Sequence, residues 1–311
     1  MQIIDLHCDT MMHLIDQPHL KLKKNNLSVD INKLKAGSGL AQFFALYIDL
    51  KEHPNALQRC LSMLDVFYQE IEANPTDIAL ARNYQEMCVL RQAGKIAAFL
   101  TIEEGGALQG RLENLRNFYR LGVRLLTLTW NYPNEIGYPN CAEKDKALGL
   151  TEFGQQVVHE MNRLGMIIDV SHLSDGGFYD VSRLSSKPFV ASHSNARAVW
   201  NHGRNLTDDM IVLLAKKGGV MGINFSGSFL GGSDISKVDD MVDHIKHIYQ
   251  VGGIDVLALG TDFDGIEFTL EIANMAEMRK LFEALNKKGF TENQIEKIAY
   301  KNTMRVIKEC L

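Results

Sequence analysis

Residues Thr151–His172 read TEFGQQVVHEMNRLGMIIDVSH, a helical pattern that runs directly into a short apolar segment ending on a histidine. Phe153, Val157, Val158, Met161 and Leu164 fall at the spacing that makes one apolar helix face, and Gly165 follows as a stop. Working outward, short apolar or β-branched runs recur at Gln2–Asp5, Gln42–Ile48, Ile96–Ile102, Arg124–Thr129, Met166–Val170, Pro188–Ala191, Val220–Asn224 and Val256–Gly260, giving eight candidate strands. Helical patterns lie between them. One starts at Thr207, an N-cap followed by Asp208 and Asp209, and ends with Lys216, Lys217 and Gly218, so its charges suit the helix dipole. Another starts at Thr291 with Gln294 at the capping-box spacing and continues through Ile295, Ile298 and Ala299.

Near-continuous apolar strands alternating with helices imply a parallel sheet buried on both faces, and eight such units close an α/β fold of the (β/α)8 TIM-barrel type. The competitor, an open doubly wound sheet, more often carries a glycine-rich phosphate turn, and neither GxGxxG nor GxxxxGK[ST] occurs. The chain has 311 residues with six prolines and no Ser/Gly/Pro linker or short-period repeat, so one domain over residues 1–311 is the simplest organisation.

Lys and Arg number 33 against 38 Asp and Glu, a net charge of −5 with histidine neutral, which leaves no basic field for nucleic acid or an anionic membrane. Apolar residues make up 46% and charged residues 23%, ordinary globular usage that excludes a disordered or collagen-like chain. The five cysteines are odd in number and contain no CxxC pair, which argues against a disulfide framework or a thiolate zinc site and for a reducing compartment. The opening MQIIDLHCDT has no basic leader or long apolar run, so a cytoplasmic location is expected.

In such a barrel function collects at the carboxyl ends of the strands. There the first run leads to His7 and Asp9, the third to Glu103 and Glu104, the fifth to His172, the sixth to His193 and the eighth to Asp262 and Asp264. His7 and Asp9 are two apart and share one side of an extended strand, so both can address one ion; alternatively Asp9 caps the next helix. Glu103 and Glu104 point to opposite sides, so at most one faces the barrel mouth. Imidazoles with a carboxylate and an oxygen bridge form a set suited to Zn²⁺. Asp262 can orient or deprotonate a water, while Asp264 before Gly265 reads as a turn residue. His244 and His247, three apart and without an HExxH pattern, read as a solvated helix face, and Arg204 alone reads as a surface arginine.

Taken in order, DLHCDT, EGG at Glu104–Gly106, LTLT at Leu126–Thr129, GLTEFG at Gly149–Gly154, NRLGMIIDVSHLS, SHSNAR, RNLTDD and GTDFDG span nearly the whole chain. In these segments the sequence resembles the membrane (renal-type) dipeptidases, metallopeptidases of the amidohydrolase-like barrels. The resemblance implies two Zn²⁺ per chain, one on His7 and Asp9, a second on His172 and His193, with Glu104 bridging them. It further implies Asp262 as acid/base, Arg204 as a substrate contact, a dipeptide substrate cleaved by hydroxide bridging the ions, and a homodimer. Trp130 stands where well-known members carry a substrate-contacting histidine, so the pocket is reshaped there. A related amidohydrolase acting on N-acyl amino acids or cyclic amides, and a barrel that binds ligand without turnover, are the alternatives.

Overall fold

The computed structural model describes residues 1–267 and 269–311. Eight parallel strands close on themselves in chain order: Ile3–Cys8, Gly39–Tyr47, Ile96–Glu103, Val123–Thr127, Ile167–Asp169, Val190–Ala191, Val220–Ile223 and Leu257–Leu259. Each pairs with its sequence neighbour and the last returns to the first, so the barrel expected from the runs is the one formed. Two features lie outside that pattern. The short strand Ile78–Leu80 extends the sheet at the start of the third barrel strand, and Ile235–Ser236 pairs with Thr269–Leu270 as a separate ribbon.

Alternation along the strands divides the apolar residues into two layers. Ile4, Leu6, Phe43, Ala97, Phe99, Leu125 and Ile167 belong to one cluster, in which the Phe43 and Phe99 rings stack 4.6 Å apart. The intervening Ala98, Leu100, Ile102, Leu126 and Ile168 pack instead with helix residues such as Phe67, Val157 and Met161. The last helix, Asn302–Cys310, sends Val306, Ile307 and Cys310 into the first cluster. Cys310 also donates to the carbonyl of Pro188, ahead of the sixth strand, which places this plug at the end away from the histidines.

Local chemistry starts and stops the helices as the patterns suggested. The Thr151 side chain accepts from Gly154 N–H at the start of Glu152–Leu164, and Gly165 ends that helix at φ 77°. Thr207 caps Asp208–Lys216 through Met210 N–H. The Thr291/Gln294 capping box is present in full, and its helix passes through a π-helical turn at Lys297–Lys301. His244 corrects the expectation of a solvated face. It is buried within Val238–Gly252, with Nδ1 accepting from Ala196 N–H and Nε2 facing the Leu230 carbonyl, whereas His247 does lie nearer solvent beside Asp208. Spacing along one helix could not reveal the loops that cover it. Among the described residues, no helix is long and apolar enough to cross a membrane.

Where the sixth, seventh and eighth strands end, their backbones meet closely. A Cβ on Gly222 would stand 2.0 Å from the Ser192 carbonyl oxygen, and one on Gly260 would stand 1.7 Å from the same atom. Neither approach tolerates a side chain. Gly222→Ala is therefore expected to lose at least about 2 kcal/mol of stability through forced backbone displacement. Chemical denaturation of the variant beside the parent chain measures the loss.

Candidate metal centre and active site

The first strand delivers His7 by a change of register. Asp5 pairs with Gln42 but Cys8 pairs with Phe44, so Leu6 and His7 together oppose the single residue Phe43. Such a bulge reverses the alternation, and His7 turns inward even though Ile4 and Leu6 already do. Asp9 follows on the same side, makes no side-chain cap to the helix after it, and places Oδ2 3.3 Å from His7 Nε2. Gly265 makes room for that carboxylate, since a Cβ there would lie 2.2 Å from Asp9 Oδ2.

On the third strand the alternation passes through Ala97, Phe99 and Thr101 to Glu103, one residue beyond the run read from sequence. Glu103 reaches His7 Nε2 with Oε2 at 3.2 Å, and its Oε1 lies 3.0 Å from His172 Nε2 and 3.3 Å from His193 Nε2. This corrects the expected place of Glu104. That residue leaves the strand at φ 121°, and its carboxylate accepts from Gly106 N–H at 2.6 Å, Trp130 N–H at 3.1 Å and the Asn134 amide. Burial pushes its pKa up to about 7 against those donors. Glu104 thus fastens the loop carrying Trp130 and Asn131, while Glu103 occupies the centre. The signal was in IAAFLTIE: large Leu100 and Ile102 mark the helix-facing side, leaving Thr101 and Glu103 on the other.

His172 and His193 meet from the fifth and sixth strand ends, with Nε2 atoms 2.9 Å apart. Arg204 is buried rather than at the surface, and its guanidinium donates to His172 Nε2 at 2.9 Å and to the Ser171 carbonyl. Because guanidinium only donates, His172 Nε2 must present a lone pair. The other nitrogen, Nδ1, faces Asn131 Oδ1 at 3.1 Å. Sequence reasoning passed over Asn131, whose position just after Trp130 was its only signal. Asp262 sits at φ 60°, held by the Asn224 amide at 2.8 Å on Oδ2, with Oδ1 3.7 Å from His7 Nε2. Asp264 points elsewhere, accepting from Thr10 Oγ1 and Ser28 N–H, in keeping with a turn role.

His7, Asp9, Glu103, His172 and His193 are each at most 5% exposed. Burying so many acidic and basic groups together favours proton sharing or a bound cation. Burial pulls His7 down, but Glu103 and Asp9 together outweigh it and hold its pKa well above the ordinary histidine value. Burial pushes Asp9 well above the usual carboxylate range despite His7, with Glu103 adding to the rise. Burial and Arg204 press His172 down to about 3. Among the described residues, neither nitrogen of His7, nor Asp9 Oδ1, has a hydrogen-bond partner. Converging lone pairs, anionic oxygens and orphaned buried atoms are the donor set that fits a metal, and two groups stand out: His7, Asp9 and Asp262, and His7, Glu103 and His193.

Above them opens a cleft of about 570 Å³ whose walls include Tyr47, Trp130, His202, Arg204, Phe229 and Asp262. Trp130 packs edge-on to Tyr47 and Tyr132, with ring centroids 4.9 and 5.5 Å away, and its ring centroid lies 6.2 Å from that of His172.

The profile of membrane dipeptidases, peptidase family M19, matches residues 1–310. The chain belongs to the membrane dipeptidase family. It is accordingly a metal-dependent dipeptidase, a hydrolase with a (β/α)8 barrel. A metallopeptidase from Rhodobacter sphaeroides, crystallised with a phosphinate mimic of the dipeptide L-Ala-D-Ala, is 27% identical, with 100% of this chain and 99% of that one covered and a TM-score of 0.93. The family M19 dipeptidase AC is 28% identical over 100% and 98% of the two chains, also with a TM-score of 0.93. An amidohydrolase from Pseudomonas aeruginosa, 23% identical over 99% and 96%, shares the fold with a TM-score of 0.85.

The two adjacent acids of this dipeptidase separate experimentally. Glu103→Gln is expected to weaken metal retention by about 100-fold or more, whereas Glu104→Gln should keep the metal and cost about 1–3 kcal/mol of stability. Elemental analysis of the purified variants, beside their denaturation midpoints, measures both.

Proposed function

We propose that the chain hydrolyses dipeptides at a centre of two zinc ions. His7 and Asp9 would hold one ion and His172 and His193 the other, with Glu103 spanning both. The observation that carries this reading is the Glu103 carboxylate itself, with Oε2 toward His7 and Oε1 toward the His172/His193 pair. When bound, such a pair supplies Lewis acidity toward a carbonyl oxygen and toward water.

The chain's own groups do the rest. Asp262 Oδ1 faces the site while Asn224 steadies Oδ2, so the free oxygen is placed to take a proton from water and return it to the leaving amine. Arg204 turns part of its guanidinium to His172 and the Ser171 carbonyl, and among the described residues its Nε has no partner, leaving a donor for a substrate carboxylate or developing oxyanion. Trp130 and Tyr47 wall the cleft, with Tyr132 packed against Trp130, and its volume suits a very short peptide.

Purified protein is expected to contain two zinc equivalents and to cleave dipeptides, to lose cleavage on chelation and to regain it when zinc is restored. Fewer than two equivalents at full activity, or faster turnover of N-acyl amino acids than of dipeptides, would replace this reading. The raised pKa of His7 gives a further expectation. Below that value the imidazole holds a proton, which a cation at Nε2 must displace, so zinc binding at neutral pH should release at least about one proton per chain and weaken as pH falls. Calorimetric titration in buffers of different ionisation enthalpy counts the released protons.

A further inference from the structure

A buried polar cluster lies directly behind the proposed zinc ligand His193. Asp169, at the end of the fifth strand, is fully buried and accepts five hydrogen bonds. Its Oδ1 receives Ser171 N–H at 3.1 Å, Ser171 Oγ at 2.7 Å and Ser192 N–H at 2.8 Å. Its Oδ2 receives Thr127 Oγ1 at 2.7 Å and Ser192 Oγ at 2.6 Å. Two N–H and three O–H groups converge on the carboxyl, an arrangement that suits its ionised form.

Proton counting then fixes the direction of the next bond. Ser192 has one hydroxyl proton and three polar neighbours, Asp169 Oδ2 at 2.6 Å, His193 Nδ1 at 2.8 Å and Ser171 Oγ at 3.0 Å, and the shortest contact, to the anionic oxygen, takes the proton. Ser192 Oγ also lies 2.8 Å from His193 Nδ1, where it can only accept. The imidazole must therefore carry its proton on Nδ1, which leaves Nε2 bare on the side of Glu103 and His172. Ser171 repeats the arrangement, donating to Asp169 while its oxygen accepts from His193 N–H at 3.0 Å.

We propose that Asp169 and Ser192 form a positioning unit that locks His193 as its Nδ1–H tautomer, so that Nε2 presents a lone pair to the metal centre. The proposal rests on the reading of His193 as a zinc ligand. Its role is distinct from strand support, because the hydroxyl of Ser192 converts a fixed carboxylate into a fixed tautomer. Partners of this kind typically change metal affinity by about 10–100-fold.

Asp169→Asn tests the direction of the chain. Two backbone N–H groups converge on Oδ1, so the amide oxygen must stay there and the NH2 group takes the Oδ2 place. It would then donate to Ser192 Oγ, turning the serine proton toward His193 Nδ1 and moving the imidazole proton to Nε2. Long-range proton–nitrogen spectra of the full chain labelled with ¹⁵N-histidine report the tautomer, and competition with a chromophoric chelator reports zinc affinity.

In the parent chain the Nδ1–H form is expected, with Nε2 of His193 shifting on zinc addition. Asp169→Asn should show the Nε2–H form. Ser192→Ala, which leaves Asp169 in place, should lose the tautomer preference and weaken one zinc by about 10–100-fold, with Ser192→Thr restoring both. A parent His193 whose resonances ignore zinc would overturn the metal reading itself. A parent that binds zinc there, with variants that keep the same tautomer and affinity, would overturn the positioning unit alone.

Discussion

The structure depends on holding like charges together away from water. Asp9, Glu103 and Asp262 converge on His7 with oxygens 3.2 to 3.7 Å from one imidazole nitrogen, and Glu103 also meets His172 and His193. Carboxylates at such spacing repel one another unless protons or cations stand among them. The orphaned atoms of His7 and Asp9 express the same imbalance. The family's dependence on metal is the chemical answer to that arrangement.

The barrel makes the convergence possible by supplying side chains from separate strand ends to one rim. It reaches this through local departures from ideal geometry. A bulge turns His7 inward, Asp262 adopts φ 60°, and glycines at 222 and 260 let three strand ends approach the Ser192 carbonyl. Two further buried carboxylates brace these places. Asp5 accepts from Thr261 N–H, Thr261 Oγ1 and Gln42 next to the His7 bulge, and Asp169 ties the fourth, fifth and sixth strands behind His193. The rigidity of the rim is thus a property of polar networks as much as of apolar packing.

Trp130 gives the cleft its individual character. Its backbone N–H donates to Glu104 and its ring leans on Tyr47 and Tyr132, so its position depends on a residue that faces away from the centre. Glu104 therefore shapes the wall of the cleft through the loop, while its neighbour Glu103 faces the centre. Adjacent positions on one strand end serve different purposes because the backbone alternates.

Sequence alone determined the barrel, because eight apolar runs separated by helical faces leave few other ways to bury both sides of a parallel sheet. It also determined which strand ends carry imidazole and carboxylate, since those residue types stand directly after the runs. Only the tertiary structure decided which carboxylate is central, because Glu103 and Glu104 have the same chemistry and differ only in the side of the strand they occupy. The burial of Arg204 and His244 was likewise invisible along the chain, as the loops that cover them come from distant positions. Hydrogen-bond direction around Asp169 and His193 emerges last of all, for it depends on where a few protons go once the strand ends have met.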